Sequence, residues 1–166
     1  MHSIMLGIGA NLPPDGFSGP REGCMAALEE LKTQNIEITG ISRWFETAPV
    51  PISDQPWFMN AVIIGKTAMT ASETLAVLHH TEAQFGRKRR VRNEARVLDI
   101  DLLDFDRMFS DKPELVLPHP RMHQRAFVLY PLRDLMPDWV HPVSGVGIGE
   151  LIEDLPPDQS IRPVQD

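Results

Sequence analysis

One cysteine, Cys24, and one tyrosine, Tyr130, occur in 166 residues, and each scarcity excludes something. A single thiol makes no intramolecular disulfide, which sets the chain apart from stapled scaffolds of oxidising compartments and leaves a structural zinc without its usual thiolates. Cys24 is expected to be a small, buried helix residue. A lone tyrosine and no aromatic-rich strand speak against a sheet that stacks RNA bases. A basic excess is also missing: 16 Lys+Arg stand against 23 Asp+Glu, a net charge of -7, so the global positive field of a duplex binder is absent. No long apolar run is present either. The stretch Ile4–Leu12 has no cationic segment before it, is interrupted by Gly7 and Gly9 and stops at Pro13-Pro14, which excludes a signal peptide or membrane span there. A cytoplasmic protein, one domain over residues 1–166, with no membrane and no nucleic-acid partner, is the expectation. At 42% hydrophobic residues the chain can bury a good core.

What is present is a local concentration of charge. Six of the 16 cations lie between Arg87 and Arg96, and the run leads directly into Val97-Leu98-Asp99-Ile100-Asp101. In a strand, alternate side chains share a face, so Asp99 and Asp101 emerge together about 6.6 Å apart while Leu98, Ile100 and Leu102 fill the other side. Two carboxylates within an apolar strand are costly unless paired or metal-bound. Mg²⁺ suits them, since it takes one or two protein carboxylates and completes its octahedron with waters and substrate phosphates. Clustered Arg supplies bidentate donors for phosphate oxygens and stabilises charge on a phosphoryl group in transfer. The combination reads as a metal-plus-polyphosphate site; a solvated loop beside a salt-bridged edge strand is the bland alternative.

Periodicity and punctuation order the elements. Ser3–Gly9 reads as a strand and Asn11–Pro20 as a Gly/Pro-rich connection. A helix starts at Pro20, carries Met25, Leu28 and Leu31 on one face and ends near Thr33. Ile36–Thr47 and Phe58–Lys66 read as strands joined by the loop Ala48–Pro56. Thr70-Ala71-Ser72-Glu73 is a capping box opening a helix to about Phe85, with Gly86 as its stop. Val97–Leu103 is a strand, a short hairpin follows near Asp104–Val116, and helices lie near Arg125–Leu132 and Ile148–Leu155. The order β-α-β-β-α-β predicts an α+β fold with a ferredoxin-like core, a mostly antiparallel sheet with helices on one face. His79 and Glu82 share a face of the second helix, and Pro118–Arg125 is a second cation-rich turn. Phe58 and Phe127 read as core on residue type alone. Gly7-Ile8-Gly9 lacks the remaining residues of a nucleotide fingerprint. On these residues alone, a Mg-dependent phosphohydrolase and a non-catalytic RNA-binding module both stay open.

Gly7-Ile8-Gly9-Ala10-Asn11-Leu12, Glu46-Thr47-Ala48-Pro49, Asp54-Gln55-Pro56-Trp57-Phe58-Met59-Asn60-Ala61, Glu82 with Gly86-Arg87, Arg96 to Asp101, and Pro118-His119-Pro120-Arg121-Met122 together resemble the 6-hydroxymethyl-7,8-dihydropterin pyrophosphokinases of folate biosynthesis. The resemblance covers nearly the whole chain. It implies a monomer that moves the β,γ-diphosphate of ATP onto the pterin hydroxymethyl group and releases AMP. It implies further that Asp99 and Asp101 hold two Mg²⁺ ions, and that Arg87, Arg92 and Arg96 act with them in catalysis. ATP would meet His79, Glu82, Arg89, Arg92, Ile100, His119 and Arg125. The pterin would sit between Phe58 and Phe127, read by Asn60 and the backbone around Thr47, Ala48 and Val50. Asn93 stands where many members carry Trp, His79 where some carry Gln, and Pro51 where Gly is frequent. Mutual repulsion of its cations makes Gly86–Ala95 a lid expected to order when ATP and pterin are both bound.

Overall fold

The computed structural model describes residues 1–49, 51–86 and 96–165. The expected lid and Val50 therefore lie outside the described residues, apart from Gly86.

Strand β1 (His2–Ala10) is central, because its apolar residues alternate onto two buried faces. It pairs antiparallel with β4 (Phe58–Thr67) on one side and β5 (Asp99–Phe105) on the other. β2 (Ile36–Ile41) and β3 (Phe45–Thr47) both pair with β4, and β8 (Ile161–Pro163) pairs with β3 at the edge. The sheet order is β5-β1-β4-β3-β8 with β2 also on β4, the ferredoxin-like arrangement the element order predicts. β6 (Ser110–Lys112) and β7 (Leu115–Leu117) form the separate short hairpin.

Side-chain alternation in β1 and β4 assigns the helices. Ile4, Leu6 and Ile8 pack with Ala61 and Ile63 against α1 (Pro20–Lys32) and α2 (Ala71–Gln84). Met5 and Val62 pack with Leu103 against α3 (Ala126–Leu135) and α4 (Ile148–Glu153) on the opposite face. Helices thus cover both faces, where the sequence suggested one. The C-terminal third carries its own apolar stripe, Val128, Leu129 and Leu132, which demands burial and finds it on the remaining face of the sheet.

Four local expectations are corrected. Met25 is 39% exposed, because the buried stripe of α1 runs Cys24, Ala27, Leu28, Leu31, the i, i+3, i+4, i+7 set. Residues 36–47 split into two strands: the Arg43 N–H turns out of the ladder to the Asp134 carboxylate at 3.1 Å, and the Ser42 hydroxyl accepts from the Val62 N–H at 3.0 Å. β5 begins at Asp99 rather than Val97, since Gly9↔Asp99 is the first register pair with β1 while Asn11 N–H and Leu12 N–H turn to the Arg96 carbonyl. The last helix starts at Ile148 as expected but stops at Glu153. The capping box on α2 forms as predicted, Glu73 N–H donating to Thr70 Oγ1 and Thr70 N–H to Glu73 Oε1, each at 3.1 Å. Cys24 is fully buried, and burial pushes its thiol up to about 12, which makes it an inert core group. No helix among the described residues is long and apolar enough to cross a membrane.

Candidate active site

On the face covered by α3 and α4, the register across three strands lines up Asn60, Gly9 and Asp99, and one step on Val62, Gly7 and Asp101. Two glycines in the middle strand leave bare backbone between an amide on one side and two carboxylates on the other. That bare strip is the floor of a cleft of about 450 Å³. Gly9 is required there: a Cβ on it would lie 2.4 Å from Asn60 Oδ1. Asn60 cannot easily give way, because its Nδ2 donates to the buried Thr47 hydroxyl at 2.8 Å.

The acidic wall of the cleft is paired with arginine. Asp99 Oδ2 accepts from Arg96 Nη1 at 2.9 Å, and Asp101 Oδ2 lies 3.8 Å from Arg125 Nη1. The Arg125 guanidinium also stands 5.3 Å over the Phe127 ring. Burial lowers its pKa from the ordinary arginine value, with Asp101 opposing. Arg96 is held by its backbone: its N–H donates to Asn11 Oδ1 at 2.8 Å. The Asn11 Nδ2 in turn donates to Gln55 Oε1 and to the Pro56 carbonyl, each at 3.1 Å, so one buried amide staples the end of β1 to two segments of the cleft's surroundings.

From behind, Glu82 supports the same strand. It is 4% exposed, and its Oε2 accepts from the Ile100 N–H at 2.8 Å, fixing the backbone between the two aspartates from the α2 side. Ile100 itself is buried in the core between α2 and the sheet. His79, one turn before Glu82, is exposed, so the two candidates of α2 occupy different environments. Neither they, Ile100 nor His119 lines the cleft, whereas Thr47, Ala48, Phe58, Asn60, Phe127, Arg96, Asp99, Asp101 and Arg125 all do. Phe58 and Phe127 are half-buried wall residues of the cleft, and Phe127 also packs against the core beneath α3. Val50, Arg87, Arg89 and Arg92 lie outside the described residues.

His119 stands half-buried just outside this wall. Its ring accepts the Arg121 N–H at Nδ1, 3.2 Å away, which needs an unprotonated nitrogen. Burial first, then Arg125 and Arg121, lower its pKa to about 4, with Asp99 opposing. The unfolded chain, with an ordinary His pKa of about 6.5, binds the proton first. Stability supplied by neutral His119 is therefore complete above about pH 6.5 and is lost as pH falls towards 4. Denaturant midpoints measured across that window should decline with acidity, and His119→Gln should flatten the decline; an unchanged slope would remove His119 as its source.

Sequence reasoning overlooked the opposite wall. Pro156, Asp158, Gln159 and Ser160 line the cleft together with Arg121 and Gln124. Arg121 and Gln124 belong to the cation-rich segment already singled out. Residues 156–160 carry no local signal, because only the β3–β8 pairing brings them to the site.

The 7,8-dihydro-6-hydroxymethylpterin-pyrophosphokinase family profile matches residues 5–137. A Methylorubrum extorquens 2-amino-4-hydroxy-6-hydroxymethyldihydropteridine pyrophosphokinase is 36% identical over 159 residues, 95% of this chain and 96% of that protein. The Pseudomonas aeruginosa protein of the same name is 35% identical over 92% of this chain and 91% of its own length. The folic acid synthesis protein fol1 of Pneumocystis carinii is 32% identical over 98% of this chain, which spans 21% of that longer protein. A solved Plasmodium falciparum HPPK-DHPS triple mutant aligns with a TM-score of 0.69 at 16% identity, covering 92% of this chain and 44% of that one, a likeness of fold.

Proposed function

This chain belongs to the 7,8-dihydro-6-hydroxymethylpterin-pyrophosphokinase family, and on that premise we propose that it transfers the β,γ-diphosphate of ATP to the hydroxymethyl group of 6-hydroxymethyl-7,8-dihydropterin. The observation that carries this reading is one cleft with two chemically different ends, an aromatic-and-amide end and a carboxylate-and-arginine end, joined across bare glycine backbone.

At the first end the flat pterin lies against Phe58 and Phe127, while Asn60 offers both a donor and an acceptor to its amide-like edge beside Thr47 and Ala48, and Val50 enters the reading as a further pterin contact. At the second, Arg96 and Arg125 bind phosphate oxygens, with His119 nearby. Arg87, Arg89 and Arg92 enter the reading as phosphate ligands and His79 as the nucleotide side, while Glu82 and Ile100, buried behind the sheet, serve that side through the strand backbone they fix. The hydroxymethyl oxygen attacks the β-phosphorus and loses its proton. The bond from the β-phosphorus to the bridging oxygen breaks, and the electron pair leaves with AMP. Alignment of the attacking oxygen with that bond is what the cleft supplies.

The donor set fits Mg²⁺. Two carboxylates on one strand face suit an ion that takes one or two protein ligands and keeps waters and phosphates for the rest. Asp99 and Asp101 would hold two such ions, whose charge neutralises the phosphates and the developing negative charge. Arginine pairing then has a role before substrate arrives: Arg96 and Arg125 neutralise the two carboxylates and exchange that partnership for phosphate when the nucleotide enters.

The family match, together with helices packed on both faces of the sheet, disfavours the RNA-binding alternative. One incubation tests the proposal: ATP, Mg²⁺ and the hydroxymethyl pterin should yield AMP in step with diphosphorylated pterin. Orthophosphate release indifferent to pterin would point to a phosphohydrolase instead. In the same assay Phe58→Ala and Phe127→Ala should raise the pterin KM by roughly 5- to 150-fold, the loss of about 1–3 kcal/mol of stacking and burial, with the ATP KM little changed.

A further inference from the structure

The clearest device that the proposed reaction leaves unused is the segment of residues 156–163, which lies beyond the matched residues 5–137 yet forms one wall of the cleft. It is anchored on both sides. On the sheet side β8 pairs with β3, the Ala48 N–H donates to the Ser160 carbonyl at 3.1 Å, and Arg162 Nε donates to Glu46 Oε2 at 2.8 Å. On the helix side a single side chain makes the attachment. Gln159 Oε1 accepts from the Ala126 N–H at 2.8 Å, and its Nε2 donates to the Gln124 carbonyl at 2.9 Å.

Those two backbone groups flank Arg125. Ala126 is the first residue of α3, so its N–H has no partner within the helix, and the residue at the N-cap, Arg125, makes no side-chain cap of its own. Gln159 supplies that missing acceptor from a distant part of the chain and, with its other end, holds the peptide on the far side of Arg125. Both peptide planes that determine where the Arg125 Cα–Cβ bond points are therefore clamped by one amide. Arg125 is the residue whose guanidinium reaches towards Asp101 and lies over Phe127, the junction between the two ends of the cleft.

We propose that Gln159 is a positioning residue that orients Arg125 towards the phosphate end of the cleft, so that nucleotide affinity depends on an amide far along the sequence from the cation-rich run. The proposal rests on the reading of that end as the ATP site. An amide is needed, because the clamp uses one acceptor and one donor. A carboxylate at the same place keeps the acceptor for Ala126 N–H and lacks the donor for the Gln124 carbonyl. Loosening the clamp costs nucleotide affinity because an arginine free to sample rotamers must be ordered again at each binding event.

The test is a double-mutant cycle on nucleotide binding, read by calorimetry with Mg²⁺ and α,β-methylene ATP, whose altered bridge cannot be broken. Wild type, Gln159→Ala, Arg125→Ala and the double variant are compared, with thermal midpoints recorded in parallel. Gln159→Ala should weaken binding roughly tenfold in the wild-type background and less than about twofold when Arg125 is already Ala. Gln159→Glu should fall between wild type and Gln159→Ala, and it takes the place of Gln159→Ala in the cycle if that variant does not fold. Equal factors in both backgrounds would overturn the proposal, since a merely structural wall lowers midpoints without coupling to Arg125. So would unchanged affinity in Gln159→Ala, or in Arg125→Ala. Because the cycle reads binding, a wild type that shows the coupling yet forms no AMP with pterin would leave the positioning role standing and remove the assigned reaction.

Discussion

Asp99→Ala and Asp101→Ala should each lower AMP formation by on the order of 10³ while the protein stays folded. The rate effect is large because each carboxylate would supply charge and geometry to the same polyphosphate. Removing one leaves phosphate charge uncompensated where it grows during transfer. The stability effect is small for a different reason. Both aspartates are partly exposed, at 20% and 25% of their side chains, and their arginine partners at 35% and 26%. Both pairs line an open cleft where water can solvate the arginine left behind, so losing either costs on the order of 1 kcal/mol. The strand beneath is held by its pairing with β1 and by Glu82, neither of which the substitution touches. Activity of the purified variants, set beside their denaturant midpoints, decides the matter: near-normal AMP production by either one removes it from the metal site. Asp→Asn at each position refines the test, since an amide keeps the shape but not the charge.

Gly9→Ala should weaken pterin binding by roughly 10- to 100-fold and destabilise the fold by about 1–3 kcal/mol. One methyl group has this reach because of where it would stand. Its nearest neighbours would be Asn60 Oδ1 at 2.4 Å and the Met59 carbonyl oxygen at 3.1 Å. The backbone oxygen is held in the central ladder, so the Asn60 amide must swing, and in doing so it leaves the Thr47 hydroxyl. A buried hydrogen bond is broken and the amide proposed to read the pterin is displaced together. Calorimetry with the pterin and a denaturant titration give the two numbers independently. Undiminished pterin affinity in a folded Gly9→Ala protein would show that Asn60 does not read the ligand from this position. Gly7→Ala is the internal control for the stability loss alone, since its nearest contacts would be ordinary ones with Leu103 at 3.5 Å and beyond while its methyl group would still stand on the cleft floor.

The parts of this protein legible without a structure are those whose causes are local. The capping box at Thr70, the helix start at Pro20 and the alternation Asp99-Ile100-Asp101 each depend on residues within a few positions of one another, so spacing alone predicts the element and the face. Resemblance to a family extended this to residues from β3, β4, β5 and α3, and most of those within the described residues line one cleft. Spacing could not tell that Glu82 is buried under Ile100 while His79, three residues earlier on the same helix, is exposed; that depends on β5 lying against α2.

Composition and local pattern determined the α+β order of elements and the shared face of Asp99 and Asp101, because short-range sterics and hydrogen bonding set those within a turn or two of chain, whereas the strand's start at Asp99 came from its register with β1. Tertiary structure alone decided that helices cover both faces of the sheet, that Gly7 and Gly9 become a floor between an amide and two carboxylates, and that Gln159 comes to clamp the peptides around Arg125. Each of these joins residues far apart in the chain through strand register or through packing across the sheet. Such contacts form only when the whole apolar surface is buried at once, so no window of sequence contains their cause.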